Sequence, residues 1–142
     1  MTIDLANAYE QVRTAVLTHC KLDDLLSQVV PVETRTDLQC VPIASGVYFI
    51  FSRPSETEQW ELRYVGQIGS RVTLRQRLSQ HLFDHPTSRT NSQFYYISEQ
   101  TDRFGVAYRI VTPEPARLLV EALCIELLDP PDNEKGKKRE KA

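Results

Sequence analysis

The sequence predicts an α+β domain: a small antiparallel β-sheet flanked by helices, with an N-terminal helical extension in front of it. Three observations carry that prediction. Gly46-Val-Tyr-Phe-Ile-Phe51 is β-branched and aromatic, and Glu61-Leu-Arg-Tyr-Val65 alternates polar and apolar before Gly66, so the two read as paired strands. Leu74, Leu78 and Leu82 recur every fourth residue, the stripe of a helix packed on one side. Leu118, Leu119, Val120, Ala122, Leu123, Ile125, Leu127 and Leu128 make a later segment apolar nearly all round, which predicts a helix buried on more than one side.

Taken in order, residues 3 to about 19 place Leu5, Tyr9, Val12 and Val16 on one helical face. Leu22, Leu25, Leu26, Val29 and Val30 continue as a second helix ended by Pro31, and residues 31–45 read as a connector. The apolar faces of this extension need cover, either from the chain's own sheet or from a second copy, so a homodimer through the N-terminal helices is one expectation. Ser52 to Trp60 contains Pro54 and a row of polar residues, a solvated hairpin loop rather than a two-residue turn. Gln67-Ile-Gly-Ser70 turns the chain into the helix near 72–83, with Ser70 as its cap, and His85-Pro86 ends it.

Beyond the polar loop 86–91, Gln93-Phe-Tyr-Tyr-Ile-Ser98 and Phe104-Gly-Val-Ala-Tyr-Arg-Ile-Val111 are strand-like and joined by a turn at Thr101-Asp102; at least the second joins the sheet. Thr112-Pro113-Glu114-Pro115 is a helix start with Thr112 as cap, leading to the helix from about 116 to 128. Asp129-Pro-Pro-Asp-Asn133 breaks it. The Lys-rich end is expected to be partly disordered. These boundaries divide the chain into an extension and connector at 1–45, a main domain at 46–134 and a charged tail at 135–142.

At 142 residues, 41% of them hydrophobic, the chain is long enough for one domain with a core of its own. No apolar run matches a membrane span and Met-Thr-Ile-Asp-Leu lacks the features of a signal peptide, so a soluble, cytoplasmic protein is expected. Cys20, Cys40 and Cys124 are odd in number and lack metal-ligand spacing, which argues against a disulfide framework and a structural zinc site. The formal net charge is −2, yet from Arg71 to Arg117 seven arginines face four acids. Arginine suits bidentate phosphate contact.

Two features have chemical potential. Arg77 and His81 lie one turn apart beside the buried stripe, at the edge of the core, with Arg75 on the other side and more exposed. Glu121 lies inside the apolar helix, where a carboxylate needs a partner, a proton, a metal or an exposed strip. Glu126 competes with it but sits nearer the helix end.

Together, Gly46-Val47-Tyr48, Tyr64-Val65-Gly66, Leu74-Arg-Gln-Arg-Leu-Ser-Gln-His81, and Glu121 through Pro130 to Asn133 resemble the GIY-YIG nuclease superfamily over residues 46–133. The resemblance implies a metal-dependent endonuclease acting on DNA phosphodiester bonds. By it, Tyr48 and Tyr64 line the active site, Arg77 contacts the phosphate, His81 assists the tyrosine base, Glu121 holds a Mg²⁺ (or Mn²⁺), and Asn133 braces the site. Arg75 stands as the alternative to Arg77, because the spacing from Tyr64 is longer than in minimal members. Gln67 occupies a position where many members carry Lys. The other reading is a catalytically inert domain of this kind that binds nucleic acid or serves in assembly.

Overall fold

In the computed structural model, residues 4–69, 71–84 and 102–133 are described. The elements are α1 (Leu5–His19), α2 (Leu22–Ser27), β1 (Val30–Val32), a 3₁₀ helix (Arg35–Cys40), β2 (Gly46–Arg53), β3 (Glu61–Ile68), α3 (Leu74–Phe83), β4 (Arg103–Ile110) and α4 (Glu114–Leu128). The strands form one antiparallel sheet in the order β1-β4-β2-β3. The expected α+β architecture is therefore present, with helices on both faces of a small antiparallel sheet.

The central strand β2 explains the layering. Its side chains alternate between two apolar layers, and both are dry: Val47, Phe49, Ile50 and Phe51 are fully buried. Tyr48 and Ile50 face Leu74, Leu78 and Leu82 of α3 together with Leu38 and Val41. Val47, Phe49 and Phe51 face Val16 and Cys20 from the end of α1, Leu25 of α2, and Leu123 and Cys124 of α4. Each buried large apolar side chain contributes about 1.5–3 kcal/mol, so β2 ties the two helical layers together.

A register shift between Ile50 and Phe51 sets Tyr64 opposite Ile50 and Leu62 opposite Phe51, leaving Arg63 as the extra residue of a β-bulge. Strict alternation would put Leu62 and Tyr64 on one face. With the bulge, Leu62 packs into the α4 layer while Tyr64 packs into the α3 layer. Arg63 is held there by Ser52 Oγ and by an ion pair with Asp132 at 3.0 Å.

Several local expectations are corrected. α2 stops at Ser27, and Pro31 lies within β1, where it is opposite Gly105 on the sheet's outer strand. Proline donates no hydrogen bond, so an edge is where a sheet accepts it. The supposed connector 31–45 thus holds most of a strand and a 3₁₀ helix closed by a Thr34–Asp37 capping box. α3 begins at Leu74 with Thr73 as its cap, in a reciprocal box with Gln76. Pro113 rather than Thr112 precedes α4, and Pro115 fits its unbonded first turn.

α4 is buried on one side only: Leu118 and Leu119 are 44% and 39% exposed, and Ala122 and Glu126 also face outward. The apolar sequence all round the helix did not reveal which face the sheet would take. The last turn of α1 and Leu25 of α2 complete the core of their own chain, while Leu5 is 75% exposed. Among the described residues no helix is long and apolar enough to cross a membrane. The expectations for Ser70, His85-Pro86, the 86–91 loop, the 93–98 strand, Thr101 and the charged tail lie outside the described residues.

Candidate active site

Tyr48 is the centre of the site because of where β2 sits. On an inner strand, its ring is buried between neighbours, with Gly66 of β3 on one side and Tyr108 of β4 on the other. Gly66 makes room for it. A Cβ on Gly66 would lie 2.3 Å from the Tyr48 hydroxyl oxygen and 2.4 Å from Cζ, so the phenol crosses a gap that any larger residue would fill. The conformation of Gly66 is ordinary; the close approach is what requires glycine.

That crossing directs the Tyr48 hydroxyl to His81. Tyr48 Oη and His81 Nε2 are 2.7 Å apart in a buried hydrogen bond. Tyr64 closes the group, its ring centroid 6.1 Å from Tyr48 and 5.2 Å from His81. The helical spacing foresaw His81 at the edge of the core; it is instead inside, 1% exposed. α3 packs on the β2–β3 pair through Leu74, Leu78 and Leu82, and His81 is buried with the last two of them.

Burial governs the protonation states. It raises the Tyr48 hydroxyl well above the usual tyrosine range, with Tyr64 adding to the rise and Arg77 opposing it. Tyr64 is raised by burial and then by the Glu121 charge, again opposed by Arg77. His81 is pushed down to about 3, first by burial and then by the Arg77 cation. At neutral pH the imidazole is uncharged and has one acceptor nitrogen; with Nε2 in that role, the Tyr48 hydroxyl donates to it.

Five of the six residues singled out in the sequence therefore share one neighbourhood. Tyr48, Tyr64 and His81 touch, the Arg77 charge acts on all three, and the Glu121 charge acts on both tyrosines. Glu121 reaches them from α4, which packs along β3 at the sheet's edge. It is half-buried rather than deep in an enclosed helix.

Arg77 is also half-buried and its Nη1 donates to Gln80 Oε1, one turn ahead. Arg75, expected to be the more exposed, is bound instead: its Nε and Nη2 donate to the carbonyls of Val41 and Gln39 at 2.8 and 2.9 Å. It fastens α3 to the 3₁₀ segment, whose carbonyls need donors.

Asn133 stands apart from the cluster and acts through the backbone. Its Oδ1 accepts from Val65 N at 2.8 Å and its Nδ2 donates to Val65 O at 2.7 Å. Asp132 N also donates to Arg63 O. The chain after α4 thus runs beside β3 as a short substitute for a further strand, satisfying an edge that would otherwise be open. Val65 lies between Tyr64 and Gly66, so this clamp fixes both.

Comparisons with family models, with characterised proteins and with solved structures found no match. The role of Gly66 as a space-maker and of Arg63 as a bulge depends on which residue lies opposite each across the sheet, which the local sequence does not specify.

Proposed function

We propose that this chain is a divalent-metal-dependent endonuclease of the GIY-YIG kind, hydrolysing DNA phosphodiester bonds. The observation that carries the reading is the 2.7 Å hydrogen bond between buried Tyr48 and neutral His81, with a cation and a carboxylate acting on the same pair of tyrosines. A phosphodiester hydrolase needs a proton acceptor for water and positive charge for the phosphoryl oxygens. Both are at hand.

Tyr48 takes the proton from the attacking water as its own proton passes to His81 Nε2. In the free site the phenol holds its proton firmly, and burial first, with the Arg77 cation second, keeps His81 a weak base. A bound phosphodiester changes that balance: its negative charge beside Arg77 offsets the cation that depresses His81, so the imidazole becomes a better acceptor once substrate is in place. Arg77 neutralises the phosphoryl oxygens, and Tyr64 packs against the relay. Asn133 positions Tyr64 through Val65.

Glu121 fits a hard, oxygen-loving cation. It offers one carboxylate whose charge acts on both tyrosines, and among the described residues no group of three or more His, Cys, Asp or Glu side chains gathers to hold a metal; so sparse a set would leave most positions to water, as Mg²⁺ or Mn²⁺ tolerates. A divalent ion held by Glu121 would supply positive charge for the leaving group.

Nicking of supercoiled plasmid with Mg²⁺ or Mn²⁺ tests the proposal. Cleavage should fall by about 10²-fold or more in Glu121→Gln and Arg77→Ala, the scale of losing one charge-stabilising group. Glu126→Gln should cut like the wild type. Arg75→Ala should cut too, at a stability cost of about 1–2 kcal/mol for its two lost bonds to carbonyls. An unmodified protein that never cuts, or a Glu121→Gln protein that cuts at the wild-type rate, refutes the assignment.

A further inference from the structure

At the end of β3 beyond Gly66, a groove of about 440 Å³ is lined by Ser45, Gln67, Gly69, Arg71, Thr112 and Arg117, among others. Arg117 is its floor. Only 5% exposed, its Nε donates to Gln67 Oε1 at 2.8 Å and its Nη1 to the carbonyl of Thr112 at 2.8 Å, with that of Val111 at 3.4 Å. These acceptors are all neutral. Burying a guanidinium costs several kcal/mol unless an opposite charge compensates it, and among the described residues no carboxylate lies within ion-pair distance of Arg117.

The bonds to Gln67, Thr112 and Val111 occupy Nε and Nη1. Nη2 lies against Gly69, where a Cβ would come within 2.8 Å of it. A side chain there would crowd this nitrogen; glycine leaves it room. Arg71, exposed, lines the same groove, and Glu114 is the one carboxylate among its described residues.

The groove also has a fixed relation to the candidate active site. Arg117 and Glu121 are four residues apart on α4, about 6 Å along the helix axis. Arg117 bonds to Gln67 of β3, and the Glu121 charge acts on Tyr64 of the same strand. The groove thus lies three residues beyond Tyr64 along β3, on the α4 side of the strand, while Tyr64 packs on the α3 side.

From this geometry we infer that Arg117 and Arg71 together bind a second phosphate of the nucleic-acid strand, one flanking the phosphate that is cut. The ligand's charge is the missing compensation for the buried guanidinium, and Arg117, pre-oriented by Gln67, loses little freedom on binding. Gln67 then has a definite role: it holds a cation rather than being one. The inference rests on the nuclease reading for the identity of its ligand.

The test is DNA binding in EDTA, where no metal-dependent cutting occurs, using a fluorescein-labelled duplex and anisotropy over a series of NaCl concentrations. Each phosphate contact contributes about 0.9 to the slope of log K against log salt. Arg117→Gln and Arg71→Gln should each make the slope shallower by up to about that amount. Arg117→Gln can also be read by thermal melting; a melting loss with the wild-type slope means a structural role only and overturns the inference.

Should Arg117→Gln fail to fold, the exposed Arg71→Gln decides: a wild-type slope there overturns the inference as well. A wild-type protein that cuts DNA while both variants keep its slope refutes only this second phosphate site. A wild-type protein with no salt-dependent DNA binding and no cleavage removes the nuclease reading, and this inference with it.

Discussion

Gly66→Ala is the sharpest test of how the site is built, because local and tertiary effects have opposite signs. In a strand, alanine is better than glycine by about 0.5–1 kcal/mol, so a purely local argument expects a slightly more stable protein. The structure predicts the reverse. The new methyl carbon would lie 2.3 Å from the Tyr48 hydroxyl oxygen and 2.4 Å from Cζ, and Tyr48 is only 2% exposed, with no free space to retreat into. Overpacking of this kind costs about 1–3 kcal/mol. A ring forced aside also loses its bond to His81, worth about 1 kcal/mol.

Setting the backbone gain against these terms leaves a net loss of about 1–3 kcal/mol. In urea, with a slope of about 1–3 kcal/mol per M for a chain of this size, the midpoint should fall by roughly 1 M. Plasmid nicking should fall by about 10²-fold or more, although residue 66 carries no reactive group, since the proton relay through Tyr48 is broken. The far-UV spectrum should remain that of a folded protein. An alanine variant as stable and as active as the wild type would show that the phenol does not cross Gly66, and the account of the site would fail.

Two further outcomes follow from the same geometry. Asn133→Ala strips both Val65 backbone groups of their partners, and at about 1–3 kcal/mol per unsatisfied buried group should cost roughly 2–6 kcal/mol in urea melts; an unchanged midpoint would mean that the clamp on β3 is not needed. Acid stability should report His81: its pKa is about 3 when folded against 6.5 as the ordinary value, so between those limits the unfolded chain binds the extra proton. Stability contributed by keeping His81 neutral is then present above about 6.5, is lost progressively as the pH falls, and levels off near 3. In His81→Gln, the urea midpoint should fall less steeply over that window; parallel curves for variant and wild type would refute the buried, neutral histidine.

Local chemistry determined much of this protein in advance. The β-branched run 46–51, the four-residue leucine spacing of α3 and the apolar segment of α4 each carry a period that a single element must satisfy, so helix and strand identities could be read directly. The same spacing brought Arg77 and His81 to one edge and marked Glu121 as a carboxylate in apolar company. Tyr48, Tyr64 and His81 lie together in the fold, and the charges of Arg77 and Glu121 act on both tyrosines.

What the sequence left open was decided by partners far along the chain. Pro31 looked like a helix terminator, yet the opposite edge of β4 made room for it in a strand. Helical spacing put Arg75 on the more exposed side of α3, yet the carbonyls of Gln39 and Val41 bind it. The bulge at Arg63, the ring space above Gly66 and the Asn133 clamp on Val65 all join residues that are distant in sequence or matched only by strand register. Periodicity tells a segment which of its faces is apolar; it does not name what will cover that face. Only the packed sheet fixes the partner, and with it the depth of His81, the half-burial of Glu121 and the line of sight between them and Tyr48.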